Sequence, residues 1–246
     1  MSNKIRWGVL GGGGDSLIGV LHRVAASMFD AYQLTGAVFN PNHDESLAFA
    51  KAIGIPTNRI YQDFDTMVAE ELKLPEEERI QVFSVLTPNF LHFPMAKKLL
   101  ESGFHVICEK PMTMTLSEAE ELAAIHKEKG VHFALTHTYT GYPMIRQMKA
   151  MIAAGELGAI QKIDAQYYQG WINPIIHDPA QRSSTWRLDP SKSGISCCMG
   201  DIGVHAYQML EYVTGMDMHS ILADLNHLYD DNQMDIDGTV LLRMGT

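Results

Sequence analysis

Through the first half of the chain, short apolar runs alternate with amphipathic segments, and that alternation admits few folds. Residues 5–10, 34–39, 59–61, 80–86, 105–108 and 131–136 read as strands. Residues 18–29, 44–53, 63–72, 94–102 and a segment running to Gly130 place apolar side chains at helical spacing. In the last of these, Ser117 is expected to cap the helix, with Glu120 completing a capping box and Gly130 ending it. Strands alternating with helices predict a parallel sheet covered on both faces. Right-handed crossovers make it doubly wound, a Rossmann-type α/β domain. Pro75 and the run Glu76-Glu77-Glu78-Arg79 mark an exposed loop.

The second half has another rhythm. Residues 142–154 and 201–213 read as helices, and 160–168, 220–228 and 239–244 as strands. Residues 170–196 show little periodicity. The prediction is an α+β domain over 137–246, following a first domain over 1–136. These strands are too few to close a sheet comfortably and the last runs to the end of the sequence, so the expected sheet is open, mostly antiparallel and incomplete.

Composition removes several function classes. Hydrophobic residues make up 46% of 246, enough to build cores. Lys and Arg number 19 against 29 Asp and Glu, a net charge of -10, which argues against nucleic-acid or membrane partners. Three cysteines without a C-x-x-C pattern support neither a disulfide framework nor a zinc ribbon. The first residues carry no apolar leader, and no run approaches the ~20 residues of a membrane span. The expectation is a soluble, cytoplasmic protein.

The loop after the first strand is Gly11-Gly12-Gly13-Gly14-Asp15-Ser16-Leu17-Ile18-Gly19. Glycines there let backbone N–H groups approach a pyrophosphate, which a helix N-terminus also favours. A strict G-x-G-x-x-G spacing is not met: counted from Gly11 the third place is Ser16, and counted from Gly12 it is Leu17. With Gly19 in that role the loop is three residues longer than usual. A plain flexible turn is the alternative. At the end of the second strand, where an acid would bind a ribose hydroxyl, stands Asn40, with no Arg beside it to attract a phosphate; NAD and NADP both remain open. Asp44 reads as a helix cap.

Ligands of such sheets bind at the carboxyl ends of strands. Two polar segments lie there: Thr87-Pro88-Asn89-Phe90-Leu91-His92 and Glu109-Lys110-Pro111. Turn chemistry alone also explains the first, and a solvated lysine the second. Further along, Asp201 and His205 are four apart, one turn of a helix. Asp201 as a cap with His205 in the core is one reading, and a metal site is another, although no further ligand stands at tight spacing.

With these segments in hand, the chain resembles the Gfo/Idh/MocA family of NAD(P)-dependent sugar and cyclitol oxidoreductases. The resemblance covers nearly the whole chain. It rests on Ile18-Gly19-x-x-His22, Thr87-Pro88-Asn89-x-x-His92, Gly103-Phe-His105-Val-Ile-Cys-Glu109-Lys110-Pro111 and Gly200-Asp201-Ile-Gly203-Val-His205. It implies a catalytic set of Lys110, Asp201 and His205. It implies a cofactor site built from Gly11, Gly13, Gly14, Ser16, Ile18, Asn40, Thr87, Pro88, Asn89, His92, Glu109 and Lys110. Substrate contacts are expected from Lys110, Tyr139, Trp186, Arg187, Asp201 and His205. Trp186-Arg187-Leu-Asp189 looks like an element the family places near its pocket. Cys197, Cys198 and Met199 stand where glycines commonly precede the Asp.

The implied reaction is hydride transfer between a nicotinamide (NAD or NADP) and a hydroxyl-bearing carbon of a sugar, sugar derivative or cyclitol. His205 suits a general base, Lys110 suits a developing alkoxide, and Asp201 would accept a hydrogen bond from substrate. No metal is expected. A non-catalytic dinucleotide-binding regulator is the alternative on the same fold. Family members are longer, and their second-domain sheet commonly forms the oligomer interface; a truncated chain that still self-associates is the expectation here.

Overall fold

The computed structural model describes residues 4–227 and 234–245. The chain divides into two compact units, Met1–Thr136 and His137–Thr246.

In the first unit, β1 (Ile5–Gly11), α1 (Leu17–Ser27), β2 (Tyr32–Val38), α2 (His43–Ala52), α3 (Phe64–Lys73), β3 (Val82–Leu86), α4 (His92–Glu101), β4 (His105–Cys108), α5 (Leu116–Lys129) and β5 (Phe133–Leu135) follow one another. The sheet order is β2-β1-β3-β4-β5, and every pairing is parallel. The chain winds outward from β1 to β2, then returns to place β3 on the other flank. The switch point therefore lies between the carboxyl ends of β1 and β3, where open α/β sheets hold ligands.

Side-chain alternation divides the core between the two faces. Leu10, Phe83, Val85 and Val106 pack with Leu99, Leu100 and Leu122. Trp7, Val9, Val82 and Leu86 pack with Ala37, Phe39 and Ala50. The Trp7 indole N–H donates to Ser84 Oγ at 2.8 Å, which satisfies both buried groups between neighbouring strands.

Three expectations change here. Residues 59–61 form no strand: a 3-10 turn, Thr57–Arg59, leads into a single bridge between Ala37 and Ile60. A three-residue run has length for one bridge only, and Arg59 is committed elsewhere. Helix α5 is capped by Thr115, two residues before the expected Ser117. Thr115 Oγ1 accepts from Glu118 N–H at 3.3 Å, while Glu118 Oε2 accepts from Thr115 N–H at 3.0 Å and Met114 N–H at 3.1 Å. Both registers satisfy the capping-box pattern, and the earlier one also takes up the Met114 donor. Asn42, not Asp44, caps α2.

Arg59 belongs to a buried knot around Glu71, whose side chain is 0% exposed. Arg59 Nε donates to Glu71 Oε1 at 3.0 Å, Tyr61 Oη to the same oxygen at 2.6 Å, and Ile80 N–H to Oε2 at 2.7 Å. Burial, and then the neighbouring carboxylate, push the Tyr61 hydroxyl up to about 12.

The second unit contains α6 (Pro143–Ala153), three short helices α7 (Asn173–Ile176), α8 (Pro179–Ser184) and α9 (Pro190–Ser193), then α10 (Val204–Thr214), β6 (Asp217–Asn226) and β7 (Asp237–Gly245). β6 and β7 pair antiparallel with each other. The expected strand over 160–168 has no regular hydrogen-bonded structure, because no described strand pairs with it. Leu228, the expected end of the first sheet strand, lies outside the described residues.

Candidate active site

The glycine loop leaves β1 with Gly11 at φ +79°, Gly12 at +69° and Gly14 at +55°, a region closed to most side chains. A Cβ on Gly11 would stand 2.8 Å from Leu86 O, and one on Gly13 2.8 Å from Phe39 Cβ. The loop is thus pressed onto the ends of β3 and β2, while a Cβ on Gly14 would meet nothing within 4 Å. Gly19 shows which residue takes the third-glycine role: a Cβ there would stand 1.8 Å from Gly12 O. Ser16 caps α1 by accepting Gly19 N–H at 3.2 Å, and Arg23 Nη1 donates to Gly12 O at 2.8 Å. Ile18 packs under the sheet. Backbone amides at a capped helix start, with open space before them, fit a pyrophosphate.

Asn40 follows β2. Its Oδ1 accepts Asn42 N–H at 2.8 Å, and its own N–H donates to Ser46 Oγ at 2.9 Å. The corner is a rigid, neutral carboxamide.

After β3, Thr87 and Pro88 are half-buried and Asn89 is buried in a 3-10 turn, Asn89–Leu91. His92, expected in the cofactor site, is 1% exposed. Its Nε2 lies 2.9 Å from Thr87 O and its Nδ1 2.7 Å from Pro111 O. The ring ties the ends of β3 and β4 together, with both nitrogens against backbone carbonyls. Burial outweighs both carbonyls and holds its pKa below the ordinary value.

Glu109 is also committed internally. His22 Nε2 donates to its Oε1 at 2.8 Å, as does Thr136 Oγ1 at 2.8 Å, and Lys110 N–H donates to Oε2 at 3.3 Å. Burial raises its pKa, but these donors, His22 foremost, outweigh burial and hold the carboxyl below its ordinary value. The half-buried Lys110 therefore follows a residue anchored to α1 and to the end of β5. His22 stood in the sequence pattern without a role; the structure supplies one.

In the second unit, Asp201 sits in a π turn, Met199–Gly203, and His205 in the first turn of α10. The N-cap of α10 is Gly203, with no side-chain capping bond, so Asp201 is not its cap. Arg187 Nε lies 3.7 Å from Asp201 Oδ2, and its guanidinium lies 4.5 Å from the Trp186 ring and 5.5 Å from Trp171. A cavity of about 90 Å³ opens beside Asp201, Trp171, Cys197 and Cys198. Asp189 caps α9, accepting Ser191 N–H at 3.0 Å.

The buried His205 ring meets Tyr139 edge-on, with centroids 4.8 Å apart, and Tyr167 at 6.1 Å. The Tyr139 and Tyr167 hydroxyls hydrogen-bond each other, which pushes Tyr139 up to about 12. Gln169 Nε2 donates to Tyr167 Oη at 2.8 Å. Tyr139, Tyr167 and His205 line a second cavity of about 380 Å³ with Met148, Met209 and Val213. Tyr167 lines both cavities, yet its sequence context (Tyr167-Tyr168 in a presumed strand) gave no signal. Among the described residues, no group of three or more His, Cys, Asp or Glu could hold a metal ion. Nor is any helix among them long and apolar enough to cross a membrane.

Residues 5–137 match the model of an oxidoreductase family with an NAD-binding Rossmann fold, and residues 145–246 match the Gfo/Idh/MocA C-terminal domain. An uncharacterised oxidoreductase of Bacillus subtilis, YfiI, is 35% identical over 91% of this chain and 57% of its own length. The scyllo-inositol 2-dehydrogenase (NADP+) IolW of the same organism is 31% identical over 75% of this chain and 50% of its own. An inositol dehydrogenase homologue from Azotobacter vinelandii has been solved in complexes with NAD+ and with NADH and myo-inositol. The two structures are 31% and 30% identical to this chain, with TM-scores of 0.91 and 0.89. They cover 99% and 100% of this chain, and it covers 62% of each. The chain thus spans between half and two thirds of the length of these relatives. Its first unit is a Rossmann domain of the NAD-binding kind, and the chain belongs to the Gfo/Idh/MocA family of oxidoreductases.

Proposed function

We propose that this chain binds NAD or NADP and transfers hydride between it and a hydroxyl-bearing carbon of a cyclitol, sugar or sugar derivative. The observation that carries this reading is the placement of Lys110 at the carboxyl end of β4, behind an anchored Glu109 and two strands from the glycine loop. The inositol dehydrogenase homologue, whose complex holds NADH and myo-inositol, supports the substrate class.

The amides of Gly11, Gly13 and Gly14, with the capped start of α1 at Ser16, hold the pyrophosphate, and Ile18 supports the loop from below. Asn40 faces the adenosine ribose. Thr87, Pro88 and Asn89 border the nicotinamide side, braced by His92. A nicotinamide bound there supplies the hydride acceptor. An imidazole nitrogen of His205 would take the hydroxyl proton of the alcohol as that alcohol is oxidised to a carbonyl. The Lys110 ammonium stabilises negative charge developing on that oxygen. Asp201 accepts a hydrogen bond from a substrate hydroxyl, and Tyr139, Trp186 and Arg187 shape the polyol site.

The test is titration with NADH and NADPH, followed by energy transfer from Trp7, Trp171 and Trp186, and then turnover on a panel of inositols, aldoses and sugar phosphates. Saturable binding with reduction of NAD+ or NADP+ by one panel member is expected. Binding without turnover across the panel would instead establish a regulator. The three cysteines are free, which fits a reducing compartment such as the cytoplasm. The apolar β6–β7 surface fits self-association.

A further inference from the structure

We infer that Asp235 is a positioning residue that sets the helix start carrying Asp201 and His205; this rests on the roles just proposed for those two side chains. Asp235 is 1% exposed and lies two residues before β7. Its Oδ1 accepts Cys197 N–H at 2.8 Å, its Oδ2 accepts Met199 N–H at 2.8 Å, and its own carbonyl accepts Cys198 N–H at 2.9 Å. Ser196 Oγ accepts Gly200 N–H at 2.8 Å. The next amide, Asp201 N–H, donates to Cys197 O at 2.9 Å and opens the helical ladder.

A helix leaves its first four N–H groups without an intrahelical partner. Here those four belong to residues 197–200, and Asp235 satisfies three of them. Negative charge is also favoured at a helix start. Asp201 is the first residue whose amide joins the ladder, and His205 stands one turn later, past the π turn. The direction in which both side chains leave the helix therefore follows from where residues 197–200 are pinned. Cys197, Cys198 and Met199 all carry side chains, so the backbone here lacks glycine's freedom and takes its path from an external acceptor. Asp235 is not itself among the residues lining either cavity, and these three bonds all run to backbone amides.

Asp235→Asn is nearly isosteric but presents an NH2 to one of the two amides it must satisfy. Asp235→Glu keeps both oxygens and displaces them. Hydrogen exchange of the amides at 197–200, the NADH dissociation constant, kcat on the panel's best substrate and the pH profile of kcat are measured for each. We expect Asp235→Asn to speed exchange at 197–200 and lower kcat at least about tenfold, with NADH affinity held within about twofold. The acid limb of the profile, set by His205 as base, is expected to move, which loss of stability alone would not do. A kcat within about twofold of wild type would overturn the inference. If Asp235→Asn shows no cooperative melt, Asp235→Glu is judged by the same criteria. If the wild-type protein turns over nothing on the panel, the proposed chemistry fails by itself. In that case unchanged exchange at 197–200 still sinks the role of Asp235, and faster exchange upholds it.

Discussion

A single missing atom at Gly19 decides whether the loop can form. Any Cβ there collides with Gly12 O, so Gly19→Ala has to push α1 off the loop; overpacking of this kind costs about 1–3 kcal/mol even where side chains can yield, and here the obstacle is backbone. The expected outcome is loss of saturable NADH binding from a protein that still melts cooperatively, and binding at wild-type affinity would refute the close contact. Lys110→Ala and His205→Ala are expected to lower kcat by at least about 10²-fold while NADH affinity changes little; near-wild-type turnover in either removes that residue from the chemistry. His105 carries a pH dependence. Its Nδ1 accepts His132 N–H at 2.9 Å, and burial, then the neighbouring His132, lower its pKa below 6.5. The unfolded chain then holds that proton more tightly than the folded one. The stabilisation is fully present above pH 6.5 and is lost as the pH falls from there through the lowered folded value. The melting temperature is expected to drop between pH 7 and pH 5, and to drop less in His105→Gln; equal slopes would exclude this contribution. The buried His92 acts in the same direction.

At the scale of elements, the capping register of α5 is directly measurable. Thr115→Ala is expected to cost about 1 kcal/mol and Ser117→Ala close to nothing, read by urea denaturation. The reverse order would restore the register read from sequence. That case shows why the sequence was legible only in part. The order of strands and helices in the first unit follows from periodicity, which depends on each segment alone. Choosing between Thr115 and Ser117 depends on which start leaves the fewest orphan donors, and Met114 N–H, which settles it, has no signature. Residues 160–168 have strand composition, but a strand exists only with a partner. Lys110, Asp201 and His205 could be named as candidates because they stand in compact local patterns. Asp235 could not, since the amides its carboxylate accepts lie 38 and 36 residues back along the chain. His92 and Glu109 were found by pattern, but only three-dimensional packing shows them turned inward onto Thr87, Pro111 and His22.

For the molecule as a whole, β6 and β7 leave apolar surface in water: Ile221 is 59% exposed, Leu222 69% and Leu241 65%. Surface of this kind favours association. Sedimentation is expected to show oligomers that Leu222→Lys with Leu241→Lys disperses; a monomer at all concentrations would refute it. The first unit carries the opposite feature, a charge sealed inside the protein. Glu71 answers to Arg59, Tyr61 and Ile80 N–H at once, and removing one partner of a buried ion pair costs about 3–5 kcal/mol while replacing the whole set by apolar groups can cost nothing. Arg59, Tyr61 and Glu71 therefore form a unit of inheritance. Point mutants at any one of them lie in a fitness valley, and a library that varies them singly will report each as indispensable, whereas a simultaneous apolar replacement of all three is left with only the orphaned Ile80 N–H to offset, a cost of about 1–3 kcal/mol.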